Sequence, residues 1–161
     1  MQVRPATVKD AGQCAEIYAP FVTDSWVSFE SVPPDKIEME FRIKRALEFH
    51  DWLVADIGGK ITGYAYGSGH RSREAYQHSC DVTVYVDPAF SRQGIGRTLY
   101  DALFARLKER KFHALFAGIA LPNDASVGLH QSSGFTSVGI YREVGWKMGA
   151  WRDVQWMQRL L

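Results

Sequence analysis

A glycine-rich turn between a strand-like and a helix-like segment is the part of the chain best suited to an anion. It runs from Ser91 to Arg97 and reads Ser-Arg-Gln-Gly-Ile-Gly-Arg. Glycines let the backbone approach an anion closely, and a helix that begins there directs free N–H groups and a positive dipole end at the ligand. The turn lacks the marks of a P-loop or a dinucleotide fingerprint. With Arg92 and Arg97 it predicts a pyrophosphate site, and a tight turn with a helix cap is the alternative.

Asp81 is an acidic residue inside a run of β-forming residues, where aspartate is disfavoured. Alternation along a strand puts its side chain on the same face as Thr83 and Tyr85. An acid in that position must pair with a cation or face a cavity. Two hypotheses follow: a salt bridge to Arg71 or Arg73, or a general base that takes a proton from a substrate ammonium through a water molecule.

Asn123, Ser126 and His130 are polar residues spaced at i, i+3 and i+7. This spacing puts them on one face of a short helix. Such a face suits either solvent or a polar ligand. Histidine titrates near neutral pH, so His130 is a candidate proton donor, and packing against a ligand or plain surface exposure are the alternatives.

Two arginines and two aromatic residues are candidates for a substrate pocket. Arg71 and Arg73 are two residues apart, so in an extended segment they point the same way. Arginine makes paired hydrogen bonds to carboxylates and phosphinates, which predicts a site for an acidic small molecule, with solvated loop arginines as the alternative. Phe29 and Tyr76 are candidate apolar walls of this pocket, or else ordinary core residues.

The elements that must position these residues form hairpins first and alternating strands and helices later. A helix is expected behind Thr7, and a second over 35–49 with Ile37, Phe41 and Leu47 on its apolar face. Further helices are expected at 94–110 and 123–133, and strands at 2–5, 52–57, 61–67, 78–86, 114–119, 135–141 and 154–161. This order predicts a mixed α/β layer fold around one sheet.

Length and composition limit the class of protein. The 161 residues suit one domain that folds without a disulfide or a metal. A formal net charge of +1 disfavours a nucleic-acid binder, and the sequence has no apolar run of membrane-spanning length and no signal-like N-terminus. Cys14 and Cys80 match no metal spacing, so two reduced thiols in a cytosolic protein are expected.

Several segments taken together carry a family resemblance. They are Val-Tyr-Val-Asp-Pro at 84–88, the glycine turn, Leu-Pro-Asn-Asp-Ala-Ser at 121–126 and Leu-His-Gln-Ser-Ser-Gly-Phe at 129–135. In this order and spacing they resemble the GNAT superfamily, the GCN5-related N-acetyltransferases. Phe-Glu at 29–30, Arg-Ser-Arg-Glu-Ala-Tyr at 71–76, Thr-Val-Tyr-Val at 83–86 and the tail at 145–154 look like its phosphinothricin and methionine sulfoximine acetyltransferase branch. That similarity covers almost the whole chain.

The resemblance implies a fold and an activity. The fold would be one GNAT domain over residues 1–161, with a mixed, mostly antiparallel, seven-stranded twisted sheet, about four helices, and strands splayed at an acetyl-CoA site. The activity would be direct acetyl transfer from acetyl-CoA to the α-amino group of a glutamine-analogue amino acid such as L-phosphinothricin or L-methionine sulfoximine. No metal is implied. A cytoplasmic homodimer is implied, with Trp146, Trp151 and Trp156 near the pocket or the two-fold interface.

The resemblance also assigns roles to residues of this sequence. Asp81 would be the general base, the N–H of Val84 the oxyanion donor, and His130 stands where many GNAT enzymes have a tyrosine acid. Residues expected to hold acetyl-CoA are Val84, Tyr85, Val86, Arg92, Gln93, Gly94, Ile95, Gly96, Arg97, Asn123, Ser126 and Ser132. Residues expected to bind the substrate are Phe29, Arg71, Ser72, Arg73, Tyr76 and Asp81.

Two positions depart from the family pattern. Ser91 stands where GNAT proteins usually have Gln or Arg, which predicts weaker phosphate contact with the backbone groups retained. Asp81 stands where the branch usually has Glu, and its side chain is one methylene shorter. These departures leave a non-catalytic acyl-CoA sensor as an alternative. A GNAT enzyme acting on a peptide or another amine is a further one, although a polyamine site should be acidic and this pocket has two arginines.

Overall fold

The sheet of this protein has seven strands in the order β1-β2-β3-β4-β5-β7-β6, seen in a computed structural model that describes residues 1–161. The strands are β1 (Gln2–Pro5), β2 (Trp52–Ile57), β3 (Lys60–Gly69), β4 (Ser79–Val86), β5 (Ala114–Ala120), β6 (Thr136–Lys147) and β7 (Ala150–Leu160). Only β4 and β5 pair in parallel, and the other neighbours are antiparallel. The fold expectation is confirmed.

Four helices cover the two faces of the sheet. They are α1 (Ala11–Thr23), α2 (Lys36–Phe49), α3 (Ile95–Glu109) and α4 (Asp124–Ser132). The helices α1 and α2 pack with β2 and β3 in one apolar cluster, and α3 packs on the opposite face in another. Each cluster removes enough apolar surface from water to hold its helices on the sheet. No helix is both long and apolar enough to cross a membrane.

The predicted apolar face of α2 was wrong for Ile37 and Phe41, whereas the third predicted residue, Leu47, is half-buried and packs against the apolar cluster of α1 and α2. Ile37 and Phe41 are 76% and 58% exposed, whereas Met39, Ile43 and Ala46 are buried. The buried residues follow the i, i+4, i+7 spacing of one helix face. The helix α2 therefore has two possible apolar faces in its sequence. Packing against α1 and the sheet buries the face that carries Met39, Ile43 and Ala46.

The C-terminal hairpin is longer than the sequence predicted. Its strands extend through Lys147 and from Ala150, around a turn in which Met148 and Gly149 both have positive φ. The pairing register shifts between Tyr141 and Gly145. Such a bulge interrupts the two-residue alternation that marks a strand in a sequence, which is why the predicted strand ended at residue 141.

The strands β4 and β5 separate after a short paired stretch. Their ladder joins only Ser79–Asp81 to Ala114–Phe116. Beyond it, β4 continues to pair with β3 and β5 continues to pair with β7. The sheet therefore opens in its middle, immediately after Asp81.

Candidate active site

The opening between β4 and β5 forms a narrow cleft, called here the β4–β5 cleft. It encloses about 70 Å³. Its lining comes from both strands, from α3, from α4 and from the loop after α1, and includes Val27, Val84, Tyr85, Tyr100, Gly118, Asn123, Ser126 and His130. Five parts of the chain therefore meet at one gap in the sheet.

The backbone amide of Val84 faces this cleft. Asp87 donates its N–H to the carbonyl of Thr62 on β3 at 2.9 Å, and the register pairs Val84 with Ala65. Because only alternate residues of an antiparallel strand bond to the same neighbour, the N–H of Val84 points away from β3. With no β5 partner at this level, the amide is available to a ligand.

The glycine turn stands at the start of α3, as predicted. Gly94 is the N-cap residue with φ 77°, and Arg92 also has positive φ, at 60°. Gly94 provides no side-chain cap, so the first-turn N–H groups of α3 keep their hydrogen-bonding capacity. The side chain of Ile95 is buried in the core, which leaves its backbone as the part that can meet a ligand. Gln93 is exposed.

The guanidinium of Arg97 already has partners within the protein. It donates to the Ser132 carbonyl at 2.7 Å and to the Asp101 carboxylate at 3.1 and 3.2 Å. These bonds tie the start of α3 to the end of α4. Gly96 lies nearby, and a Cβ there would come within 3.2 Å of Leu129. The absence of a side chain at Gly96 therefore permits close packing of the two helices.

His130 is buried, so exposure on the surface, one of the three alternatives, is wrong. Its Nδ1 donates to the Ser126 carbonyl at 2.7 Å, and the Tyr100 hydroxyl lies 2.9 Å from Nε2. Since a carbonyl only accepts, Nδ1 carries the proton and Nε2 accepts from Tyr100. Burial lowers the pKa of His130, so its imidazole is neutral near pH 7. Asn123 caps α4 by accepting from the Ser126 amide.

Asp81 pairs with His70 and not with either predicted arginine. The Nδ1 of His70 lies 2.6 Å from Oδ1 of Asp81. Burial raises the pKa of Asp81 above the usual carboxyl range, and the hydrogen bond from His70 opposes that rise. Arg71 is near enough to lower the pKa slightly, but it makes no salt bridge to Asp81. The predicted salt bridge is therefore wrong in its partner.

A larger cavity, called here the basic groove, lies between α2 and the end of β3. It encloses about 760 Å³. Its lining contains three arginines, two histidines, Ser72 and no carboxylate; the basic residues are Arg42, Arg45, His50, His70 and Arg71. Ser68 and Tyr66 of the groove are the β3 partners of Asp81 and Thr83 on β4. The groove thus adjoins the strand that borders the β4–β5 cleft.

The predicted pocket walls are exposed and are not core residues. Phe29 and Tyr76 are each 42% exposed, and Tyr76 meets the His70 ring at 5.9 Å. Neither Arg73 nor Tyr76 lines the basic groove. Phe29 packs on Gly145 so closely that a Cβ there would fall 2.6 Å from its Cζ. The C-terminal hairpin therefore supports the loop that carries Phe29.

That loop is held by charged groups on both sides. The ammonium of Lys147 donates to the carbonyls of Val22, Ser28 and Glu30. The Glu30 carboxylate accepts two hydrogen bonds from Arg42, at 2.6 and 2.9 Å. Charge-assisted bonds of this kind are about twice as strong as neutral ones. They fix the loop next to the cleft.

The sequence profile of the acetyltransferase (GNAT) domain matches residues 3–156 of this chain. The chain belongs to the GNAT acetyltransferase family. It is 40% identical over 161 residues to a phosphinothricin N-acetyltransferase of Alcaligenes faecalis, covering 99% of this chain and 82% of that protein. A phosphinothricin N-acetyltransferase of Streptomyces viridochromogenes is 36% identical over 159 residues, covering 99% and 87%. This GNAT chain is therefore an N-acetyltransferase, and the resemblance seen in the sequence is confirmed.

The chain is also similar to an acetyltransferase that is named for a different substrate. An L-methionine sulfoximine/L-methionine sulfone acetyltransferase of Salmonella typhimurium is 33% identical, covering 98% of this chain and 93% of that protein. Among solved structures, a GNAT phosphinothricin acetyltransferase of Sinorhizobium meliloti in complex with acetyl-CoA has a TM-score of 0.95 at 32% identity, covering 99% and 88%. YncA of Salmonella typhimurium, solved with its cofactor acetyl-CoA, has a TM-score of 0.97 at 31% identity, covering 100% and 94%.

Three residues of this GNAT site were not among those predicted from the sequence: His70, Tyr100 and Lys147. Their partners are 11, 30 and more than 100 residues away. Only the unpaired character of Asp81 within its strand pointed to a missing partner. No cluster of three or more potential metal-ligating side chains is present.

Proposed function

We propose that this enzyme transfers an acetyl group from acetyl-CoA to the α-amino group of a small amino acid of the glutamine-analogue type, such as L-phosphinothricin or L-methionine sulfoximine. The observation that carries the proposal is a groove with five basic and no acidic lining residues next to the opening of the sheet. Residues 1–161 act as one domain in this proposal. A polyamine would be repelled by such a groove.

Acetyl-CoA fits the β4–β5 cleft and the turn beyond it. Acetyl-CoA supplies the acetyl group as a thioester. Backbone groups of Val84 and Val86 at the open edge of β4 suit the amides of its pantetheine arm, and the free N–H groups at the start of α3 suit its pyrophosphate. Arg92, Gln93 and Ser91 are exposed beside that turn. Because these contacts are mostly backbone contacts, the serine at position 91 is compatible with binding.

The amide of Val84 is the proposed donor to the acetyl oxygen as negative charge develops there. A preorganised N–H in such a position is a main source of catalysis in acyl transfer. We assign His130 to packing and positioning, because its Nε2 already accepts from Tyr100 and its pKa is lowered. A thiol with a pKa near 8.5 leaves as the thiolate without strong assistance.

Transfer is direct in this proposal. Both cysteines are fully buried, and burial raises the pKa of the Cys14 and Cys80 thiols to about 12. A thiol nucleophile reacts as its thiolate and needs a lowered pKa and access to the substrate. Neither cysteine is suited to carry the acetyl group.

The basic groove supplies the proposed recognition of the substrate's acidic groups. Arg42 is neutralised by Glu30, whereas Arg45 and Arg71 form no ion pair and remain available.

The test is release of free thiol from acetyl-CoA with a panel of acceptors. L-phosphinothricin, L-methionine sulfoximine and L-methionine sulfone are compared with amino acids that are not glutamine analogues, a peptide and spermidine. The proposal expects the highest kcat/KM with the sulfoximine or phosphinothricin group of acceptors. Highest kcat/KM with spermidine or the peptide would contradict the proposed substrate, and acetyl-CoA binding with no turnover on any acceptor would favour a sensor.

We propose in addition a cytoplasmic homodimer formed through the C-terminal hairpin. The strand β6 is at the edge of the sheet, and the hairpin exposes eight large apolar side chains: Val138, Ile140, Tyr141, Val144, Trp146, Met148, Trp151 and Leu160. Exposed apolar surface on this scale marks an association site. Sedimentation equilibrium should give twice the chain mass, and Trp146→Ser together with Trp151→Ser should shift the species toward the monomer. A monomeric wild-type chain at micromolar concentration would contradict this assignment.

A further inference from the structure

His70 and Asp81 form a hydrogen-bonded pair at the point where the sheet opens. Nδ1 of His70 lies 2.6 Å from Oδ1 of Asp81, and the paired stretch of β4 and β5 ends at Asp81 and Phe116. An ionised carboxylate can only accept a hydrogen bond, so Nδ1 carries the proton. Nε2 of His70 therefore has a free lone pair.

The surroundings hold the His70 ring in one orientation. It stacks on Phe116 with ring centroids 4.2 Å apart and an interplanar angle of 15°. Tyr76 and Trp156 meet it edge-on at 5.9 and 6.1 Å. Its side chain is only 12% exposed, yet it lines the basic groove. Nε2 makes no hydrogen bond within the protein, because the only bond of this side chain is the one to Asp81.

Asp81 is poorly placed to act on the substrate directly. One of its oxygens is committed to His70. Its side chain is short, it emerges from the middle of the sheet opposite Ser68, and it is not among the residues that line either cavity. The imidazole extends the reach of the carboxylate to the groove.

We infer that His70 is the general base of the acetyl transfer and that Asp81 is the positioning residue that fixes its tautomer and orientation. This inference rests on the proposed function and deepens it. The arrangement follows the general rule that a base is oriented by a third group on its far side. In this arrangement, Nε2 of His70, in the loop after β3, accepts the proton from the substrate.

Nε2 of His70 takes one proton from the substrate ammonium, and the imidazolium that forms is paired with the Asp81 carboxylate. The freed nitrogen lone pair forms the new bond to the acetyl carbon, and the carbon–sulfur bond breaks with its electron pair on sulfur. The second nitrogen proton goes to the thiolate. His70 then releases its proton to solvent, so the products are the amide, free thiol and one proton.

Three titratable or charged groups face the His70 ring. They are Asp81 on β4, and Arg71 and Tyr76 in its own loop; Phe116 on β5 and Trp156 on β7 carry no charge. The negative charge of Asp81 stabilises the imidazolium that forms when His70 takes the proton, and the positive charge of Arg71 opposes it.

The first test is rescue by a small molecule. His70→Ala should lower kcat roughly 10²–10⁴-fold, the range for a general base, and added imidazole should restore part of the rate in proportion to its concentration. His113→Ala removes an exposed histidine just before β5 and should keep the wild-type rate with no response to imidazole. A His70→Ala enzyme that stays fully active would overturn the inference.

The pH profiles of the wild type and Asp81→Asn form the second test, which does not need the His70 variant to fold. The inference expects Asp81→Asn to keep a pH-dependent kcat/KM with a lowered kcat, because the imidazole of His70 remains as the base. If Asp81 were itself the base, Asp81→Asn would lose that pH dependence, and the inference would be wrong. Wild-type protein without turnover on any acceptor would overturn the proposed function as well, whereas turnover that survives His70→Ala overturns only the role of His70.

Discussion

The β4–β5 cleft and the basic groove lie on either side of one strand but present different kinds of chemical group to a ligand. The cleft and the turn beyond it offer backbone groups, namely the Val84 amide and the N–H groups at the start of α3 behind Gly94, which has positive φ. The groove offers side chains, among them His70, Arg45 and Arg71. Backbone recognition tolerates substitution, because every residue except proline carries the same N–H group. Side-chain recognition depends on the identity of each residue.

The largest difference between the two regions should appear at Val84. Val84→Pro removes the N–H that faces the cleft, while the bonds of β4 to β3 are made by its neighbours. We expect kcat to fall roughly 10²–10³-fold, as for loss of one oxyanion donor. Val84→Ala keeps the amide and is the matched control, expected to stay within a few-fold of wild type. Equal losses in the two variants would mean that the side chain matters and the amide does not.

A smaller effect is expected at Lys147, which holds the Phe29 loop from the other side of the cleft. Lys147→Met leaves three carbonyls without their ammonium partner, and we expect a loss of roughly 2–3 kcal/mol of unfolding free energy, the scale of hydrogen bonds to charged groups. Chemical denaturation measures it. Lys44→Met, an exposed change on α2, should be within about 0.5 kcal/mol of wild type.

Arg71 and Arg73 offer a comparison within the substrate region. Arg71 lines the groove and Arg73 does not. We expect Arg71→Ala to raise KM for an acidic amino acid about tenfold, near the low end for a charge-assisted hydrogen bond, with little change in the affinity for acetyl-CoA. Arg73→Ala should raise KM less. A larger rise in KM for Arg73→Ala than for Arg71→Ala would mean that the substrate binds near Arg73 and not in the groove.

The smallest effect is expected at Gly94. A Cβ there meets nothing within 4 Å, but φ is +77°, so Gly94→Ala costs about 1 kcal/mol from the left-handed conformation alone. Loss of the turn geometry should weaken acetyl-CoA binding several-fold in calorimetry. Gly58→Ala carries similar strain, with φ +61° in the β2–β3 turn, and should lower stability without changing that affinity. An equal loss of acetyl-CoA affinity in Gly94→Ala and Gly58→Ala would mean that the glycine turn is not part of the acetyl-CoA site.

The contrast between the regions also explains what the sequence could predict. The glycine turn, the β4 strand and the short helix that begins after Asn123 are each encoded within a few residues, and the structure confirms them as local elements. The His70–Asp81 pair, the Tyr100–His130 bond and the Lys147 contacts depend on tertiary packing between distant segments. The choice between two apolar lines on α2 and the bulge at Tyr141 to Gly145 likewise depend on what each element packs against.

The central claim is that the cleft binds acetyl-CoA through its backbone while a side-chain pair next to the groove moves the proton. One sample of His70→Ala tests it, titrated with acetyl-CoA by calorimetry and assayed for thiol release with L-phosphinothricin or L-methionine sulfoximine. The account predicts a wild-type Kd for acetyl-CoA and a kcat lowered at least 100-fold, the lower bound for a lost general base. A Kd weakened in parallel with kcat, or a kcat that stays at the wild-type value, would contradict it.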